Sequence, residues 1–308
     1  MDKHCSGFAT ILGRPNVGKS TLLNGLLGRK ISVVTPIAQT TRNRILGVYD
    51  DESCQIVFQD TPGFLVPRDA MHEFMVDEVR RALEGTDVVL FMVDASQGIG
   101  KREQELCVFV NAACGPQTEN AGIPIFLIAN KMDLVHPSKV EECLKEIRSL
   151  PFERPVELIT LSALYGTGIS DVLQAVKSVL PEGPKYYDPD VLTDRTERFL
   201  VEELIREQAF LRVKEEIPHA IAVHVEEMLD APDRKKVSIS ANLIVERESQ
   251  RGILIGKGGL MVKAIGQDAR KQIEELLGRP VFLTLRVKVV EKWRKEQRAL
   301  KELGYHRR

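Results

Sequence analysis

Lys19 and Ser20 stand side by side at the end of Gly13-Arg14-Pro15-Asn16-Val17-Gly18-Lys19-Ser20-Thr21. Glycines let a main chain wrap closely around an anion, and the N–H groups of such a loop and of the helix after it point at negative charge. In that setting the Lys19 ammonium reaches the β- and γ-phosphates of a nucleotide and the Ser20 hydroxyl ligates Mg²⁺. A bare glycine-rich turn is the plainer reading. It loses ground because the apolar run Phe8–Leu12 precedes the loop and a helical pattern follows it, the context a phosphate loop requires.

Three further clusters carry compatible chemistry. Asp60-Thr61-Pro62-Gly63 closes an apolar run; there a carboxylate can hold Mg²⁺ through water and a glycine N–H can sense the γ-phosphate. Asn130-Lys131-Met132-Asp133 closes another, and Asp133 is suited to accept from the N1–H and 2-amino groups of guanine, a donor pair that adenine lacks. Ser162-Ala163-Leu164 closes the last and would complete a base pocket. Taken singly each is weak, since Asp and Gly are common in turns and Asn, Asp and Ser cap helices. The polar segment Ala38–Arg44 lies between the first helix and the Asp60 strand, where it is either a surface loop or a phosphate-sensing one.

These residues need a scaffold that brings strand ends together. Up to about residue 180, short apolar runs (Phe8–Leu12, Cys54–Asp60, Thr86–Asp94, Ile123–Asn130, Val156–Leu161) alternate with helical patterns, which reads as a βαβ succession with a largely parallel sheet. Such sheets bind ligands beyond the carboxyl ends of their strands. Residues 181–190 concentrate proline and turn formers and read as a linker. Beyond it, Asp194 with Glu197 reads as the N-cap pair of a helix to about Glu216. Strands follow at 220–226, 237–245 and 281–289, giving the order α-β-β-α-α-β.

Between the last two strands lies Arg247-Glu248-Ser249-Gln250-Arg251-Gly252-Ile253-Leu254-Ile255-Gly256-Lys257-Gly258-Gly259. A GxxG loop between two helices lets a nucleic-acid backbone approach closely, while an apolar groove beside it receives unstacked bases. GxxG alone says little. Ile253, Ile255 and Lys257, with Lys263, Arg270 and Lys271 on the helix that follows, give the motif its weight. Trp293 could stack on a base, but a lone tryptophan in an amphipathic tail more often packs on its own domain.

Composition agrees with two unlike halves. The 308 residues carry a net charge of −1, made of −6 over residues 1–190 and +5 over 191–308, with +9 in the last 58. A basic end next to an acidic one fits contact with a polyanion, or simply a solvated surface. The five cysteines have no CxxC or Cys/His metal spacing, which argues against a disulfide framework or a zinc site and for a reducing cytoplasm. The first strand begins too early to leave room for a signal peptide, and no apolar run reaches the length of a membrane span.

As an ordered set, the phosphate loop, DTPG, NKMD and SAL resemble the translation-factor-like GTPase superfamily over residues 1–180. The two strands before the GxxG loop and one after it resemble a type II KH domain. With the closing 287–295 and 303–305 segments, the chain resembles the Era family of ribosome-assembly GTPases. The resemblance implies an α/β P-loop GTPase domain with a mostly parallel sheet (1–180), a linker (181–193) and an α+β type II KH domain with a C-terminal helix (194–308). It also implies GTP/GDP and Mg²⁺ as ligands, with Ser20, Thr41 and Asp60 at the metal and Lys19, Thr41 and Gly63 acting in hydrolysis. Thr41 is preferred to Thr40 as the switch I threonine, in a loop expected to order with GTP.

Phe64 stands where Ras-like proteins carry a water-orienting glutamine, so unassisted hydrolysis is expected to be slow. Asn16 matches the asparagine with which related loops hold a rate-stimulating K⁺. The family further implies binding of 16S ribosomal RNA near its 3′ end and a role on the 30S subunit; its members can also associate peripherally with the inner membrane, which the basic 292–308 tail would permit without demanding it, and a monomer is expected. Arg247, Arg251, Ile253, Ile255, Gly256, Lys257, Gly258, Gly259, Lys263 and Arg270 would meet the RNA. A constitutive RNA-binding protein with a regulatory or vestigial nucleotide domain is the alternative, and a P-loop kinase is argued against by NKMD. The Der family shares the phosphate loop but carries two GTPase domains in tandem.

Overall fold

The apolar runs become strands because they can be covered on both faces, and the glycine- and aspartate-rich ends of those runs turn back at one edge. A computed structural model describes residues 4–231 and 235–306. The chain divides into two compact units: one holds the residues up to Ser32, Thr41–Pro67 and Met75–Asp194; the other holds Val33–Thr40, Arg68–Phe74 and the chain from Arg195 onward.

Through Asp194 the elements are β1 (Cys5–Gly13), α1 (Lys19–Leu27), β2 (Ile45–Asp50), β3 (Cys54–Asp60), α2 (Ala70–Leu83), β4 (Val88–Asp94), α3 (Lys101–Ala113), β5 (Ile125–Asn130), α4 (Val140–Arg148), β6 (Glu157–Thr160) and α5 (Ile169–Val179). Among the described residues they build a six-stranded sheet in the order β2-β3-β1-β4-β5-β6. All neighbours are parallel except β2 and β3. Every residue of β4 and of β5 is buried, as central strands of a doubly covered sheet should be. Over one face, Leu106, Cys107 and Val110 of α3 and Cys143 and Ile147 of α4 pack on Phe91 and its neighbours. Register pairs Asp60 with Ile11 and Asn130 with Asp94, so the motif residues finish at the same carboxyl edge.

The edge strand β2 was not expected. Gly47 interrupts its apolar run, and a side chain there would collide with Leu23 and Leu27 of α1, a Cβ lying 2.5 Å from Leu27 Cδ1. The alternation that would have betrayed the strand is therefore absent. The 181–193 stretch also differs from a loose linker. Ser6 N–H donates to the Pro181 carbonyl at 3.0 Å and Gly183 N–H to the His4 carbonyl at 3.1 Å. Fully buried Gln55 brackets the next turn: its Oε1 accepts from Tyr186 N at 2.7 Å and Tyr187 N at 2.9 Å, and its Nε2 donates to Tyr187 O at 2.8 Å. Val48 N–H reaches the Leu192 carbonyl at 2.9 Å.

Beyond Asp194 follow α6 (Glu197–Arg212), β7 (Ala222–Asp230), β8 (Val237–Val245), α7 (Glu248–Ile255), α8 (Leu260–Leu277), β9 (Val281–Val289) and α9 (Gln297–Glu302), in the expected order. β8 lies between antiparallel β7 and parallel β9. Val201, Ile205 and Phe210 of α6 and Ile265, Ala269 and Ile273 of α8 bury the alternating face of β8. Two local readings are corrected. The cap of α6 is Thr196, whose side chain accepts from Phe199 N, rather than Asp194. β7 runs on to Asp230, its pairing with β8 continuing past a register shift between Val225 and Glu227.

Trp293 is fully buried, donates to the Ala220 carbonyl at 2.9 Å and stacks on Tyr305, so it packs on its own unit. Within the same unit, Val34 N–H donates to Glu207 Oε1 at 3.2 Å, Ile37 packs on the core, and Met71 N–H donates to the Arg294 carbonyl at 3.1 Å.

Candidate functional site

The loop after β1 turns so tightly that three positions leave no ordinary alternatives. Asn16 and Gly18 adopt φ +65° and +102°, and a Cβ on Gly13 would lie 2.6 Å from the Met92 carbonyl oxygen. Val17 is buried beneath the loop, whereas Asn16 is exposed. The Arg14 side chain is held outside by Gln97 at 2.7 Å and by Glu103. Ser20 and Thr21 lie in the first turn of α1, which begins at Lys19.

Lys19 is buried and donates to the Gly13 and Arg14 carbonyls at 3.1 and 3.0 Å. Burial pushes its ammonium down to about 8, opposed by the nearby Asp60 charge. Asp60 answers it: burial pushes this carboxyl up, while Lys19 and hydroxyls of Ser20, Ser32 and Thr41 pull the other way. Asp60 Oδ2 accepts from Ser20 at 2.6 Å, Ser32 at 2.7 Å and Thr41 at 3.5 Å, while the buried Oδ1 has no partner among the described residues. Ser20 Oγ and Thr41 Oγ1 lie 2.9 Å apart. A buried carboxylate with one orphaned oxygen and hydroxyls crowded on the other is a donor set for a hard divalent cation, and Mg²⁺ fits it. The Thr40 hydroxyl turns elsewhere, to Ile37 O at 2.7 Å and Thr35 at 2.6 Å.

The segment after Asp60 folds onto the phosphate loop. Thr61 Oγ1 donates to the Ile11 carbonyl at 2.7 Å, and Phe64 N–H to the Gly13 carbonyl at 3.1 Å. A Cβ on Gly63 would lie 2.6 Å from Pro15 N, so Pro62-Gly63 passes the loop with no room for a side chain. The Phe64 ring packs on Phe109 of α3, centroids 5.2 Å apart.

At the end of β5, Asn130 joins three motifs. Its Nδ2 donates to the Val17 carbonyl at 2.7 Å and its Oδ1 accepts from Ala163 N–H at 2.9 Å. Lys131, at φ +63°, bonds Asp94 at 2.7 Å. Met132 N–H donates to the Leu161 carbonyl at 3.2 Å, tying NKMD to the strand before SAL. Asp133 is exposed and accepts from buried Ser162, a contact that orients the carboxylate, while Leu164 is open to solvent. The arrangement can bind a nucleoside phosphate: anion loop and cation site at one end, a carboxylate for a base bearing adjacent N–H donors at the other.

In the second unit α7 ends at Gly256 (φ +71°), the turn passes through Gly258 (φ +60°) and Gly259 (φ +77°), and α8 begins. A Cβ on Gly256 would lie 2.7 Å from Met261 Cβ, whereas the space around Gly258 is open. Arg247, Arg251, Lys257, Lys263 and Arg270 are exposed, Ile253 is 45% exposed, and Ile255 is half-buried. Arg251 pairs with Glu248 on the surface. Lys263, Gly266, Gln267 and Arg270 of α8 and Leu283 and Leu285 of β9 line a groove of about 290 Å³. Gly266 and Gln267 were missed, although their spacing with Lys263 and Arg270 repeats one helix face. Ser32, Glu103 and Gln97 were missed as well, and no local pattern marks them.

A family model described as a 50S ribosome-binding GTPase matches residues 8–131, and a KH domain model matches residues 216–294. The curated GTPase Era of Geobacter metallireducens is 44% identical over 301 residues, 97% of each chain. A crystal structure of Era in complex with MgGDPNP and nucleotides 1506–1542 of 16S ribosomal RNA superposes with a TM-score of 0.91 at 37% identity, covering 99% of this chain and all of that one. A variant of Aquifex aeolicus Era bound to GDP and AlF4⁻ gives 0.90 at 37% identity, covering 98% of this chain and all of that one.

Proposed function

The chain belongs to the Era family of GTPases, and from that premise we propose that it binds GTP with Mg²⁺, hydrolyses it, and uses its GxxG unit to bind the 3′-terminal region of 16S ribosomal RNA during assembly of the 30S subunit. One observation carries the nucleotide half: Lys19, Ser20, Thr41 and Asp60 converge at the phosphate end, and Asn130 locks that end to the Asp133 and Ser162 end. The RNA half rests on the glycine turn beside a groove rimmed by Lys263 and Arg270.

In this reading Lys19 exchanges its two main-chain carbonyls for β- and γ-phosphate oxygens, whose charge favours the protonated amine that burial alone disfavours. Ser20 and Thr41 would hold Mg²⁺ directly and Asp60 through water, and the ion would supply Lewis-acid stabilisation of charge on the transferred group. Main-chain groups of Thr41 and Gly63 position the attacking water, and Asp133 selects guanine by its paired donors. Phe64 faces Phe109 and offers no hydrogen bond to that water, so intrinsic turnover is slow. The exposed Asn16 would then help to hold a K⁺, which would supply further positive charge in hydrolysis.

The segments Val33–Thr40 and Arg68–Phe74, which neighbour the metal-site threonine and the DTPG turn, count with the RNA-binding unit. This supports a coupling in which bound nucleotide alters RNA affinity. The same reading puts the protein in the cytoplasm as a monomer, its basic tail touching the inner membrane; Arg307 and Arg308 lie outside the described residues. No described helix is long and apolar enough to cross a membrane.

The test is binding to a 3′-terminal 16S RNA fragment with a non-hydrolysable GTP analogue and with GDP, alongside Gly258→Asp, where the surroundings are open and Asp is one of the few side chains that tolerate the φ of +60°. Tighter binding with the analogue, lost in Gly258→Asp, is the expected result. Equal binding in both states would remove the coupling, and unchanged binding by Gly258→Asp would remove the RNA site.

A further inference from the structure

The chain leaves the first unit after Ser32 and returns to it at Thr41. Both residues aim a hydroxyl at one atom, Asp60 Oδ2. Ser20 and Thr41 already have duties toward the metal in the reading above, but Ser32 has none. It is 1% exposed and donates to Asp60 at 2.7 Å. Its own main chain is clamped by a single side chain of α1: Asn24 Oδ1 accepts from Ile31 N–H and Ser32 N–H at 2.9 Å each, and Asn24 Nδ2 donates to the Ser32 carbonyl at 2.7 Å.

When Ser20 and Thr41 each turn a lone pair to a cation, that contact dictates where their O–H groups can point. Ser32 is the hydroxyl free of that constraint, and at 2.7 Å it holds Asp60 more closely than Thr41 does at 3.5 Å. Carboxylates that serve metals are oriented by hydrogen bonds behind the first layer of ligands, and loss of such a partner typically weakens metal binding by about 10- to 100-fold. Asp60 has the matching asymmetry: Oδ2 is held while Oδ1 remains its open acceptor.

We propose that Ser32 is a positioning residue for the divalent cation, holding Asp60 by Oδ2 so that Oδ1 is presented to the metal's water shell, and that Asn24 holds Ser32 in place for this task. The proposal rests on the Mg²⁺ site inferred above.

It is tested on the full chain by the release rate of a fluorescent GDP analogue as free Mg²⁺ is varied, from excess EDTA upward. Wild type should release nucleotide more slowly as Mg²⁺ rises. In Ser32→Ala the Mg²⁺ concentration for half-maximal slowing should increase about tenfold, with the EDTA rate unchanged. Asn24→Ala should shift the same midpoint in the same direction, and the double variant should shift no further than the larger single one. An unmoved Mg²⁺ midpoint in Ser32→Ala would overturn the proposal. So would release accelerated by the same factor with and without Mg²⁺, because the effect would then be on pocket shape. Wild-type release indifferent to Mg²⁺ would remove the metal site itself, a distinguishable failure that takes the proposal with it.

Discussion

Replacing Asn130 by alanine should uncouple the two ends of the nucleotide site. The side chain is 2% exposed and satisfies two groups that have no other route to water: the carbonyl of fully buried Val17 and the N–H of Ala163, which is 6% exposed. Leaving a buried polar group unpaired costs roughly 1–3 kcal/mol, so two cost roughly 2–6 kcal/mol. In the free protein the loops can part and admit water, recovering some of this. In the complex they must close around phosphate and base together, so about half the loss should appear in affinity. At about 1.4 kcal/mol per decade this predicts GDP binding weakened by roughly 5- to 100-fold. Titration of a fluorescent GDP analogue in Mg²⁺ buffer measures it, with RNA binding as the control for an intact second unit. Asn130→Asp adds a sharper comparison. It keeps the acceptor for Ala163 but turns a carboxylate oxygen toward the Val17 carbonyl, so it should bind GDP no better than Asn130→Ala. A Kd within threefold of wild type for Asn130→Ala would refute the reasoning, because the loops would then hold their places without the shared amide.

Potassium should raise the GTPase rate over an equal concentration of sodium, and Asn16→Ala should abolish the difference; equal rates for wild type in the two salts would dismiss the K⁺ role. Glu202, on α6, accepts from Val225 N–H at 2.8 Å, and burial pushes its carboxyl up to about 7, helped by Glu203 and opposed by that N–H and by Arg198. The unfolded chain ionises this group near 4.5, so the folded unit holds an extra proton between there and about 7, and its stability falls as pH rises through that window. Nearby His224, pushed below its usual value by burial, has the opposite slope. The readout is therefore the difference between wild type and Glu202→Gln in amide protection of β7, which should widen from pH 5 to pH 7.5; a difference that stays constant would rule the effect out. Gln55→Leu should leave GDP affinity unchanged while raising amide exchange at Tyr186 and Tyr187, and unaltered exchange there would show that the segment is held by other contacts.

What could be read without coordinates was whatever repeats locally. β3, β8 and β9 begin and end where their apolar or alternating runs do, because a covered strand needs every position and a half-covered one needs every second. The four nucleotide motifs were legible because each combines a strand end with residue types few other roles require together. β2 escaped because Gly47 was chosen for the approach of α1 rather than for a strand pattern. The N-cap of α6 was misplaced by two residues because Asp194 and Thr196 are equally good capping types, and only the turn geometry selects between them. Ser32 and Asn24 left no trace, since a serine eight residues after an asparagine means nothing until a helix and a returning strand bring them to Asp60. The docking of 181–193 was hidden for a similar reason: its anchor, Gln55, is one polar residue in a buried strand.

The fastening of Ser32 and Thr41 to one carboxylate oxygen makes the segment between them, in polymer terms, a ring of about ten residues. Closing such a ring from an open chain costs on the order of 2 kcal/mol of loop entropy beyond a constant. Once one end is held, the other is confined at an effective concentration in roughly the millimolar range, so it rejoins readily. With Ser32 fixed through Asn24, the Thr41 end is the one that leaves and returns. The segment therefore opens from one side only, and its free end recloses without a long search.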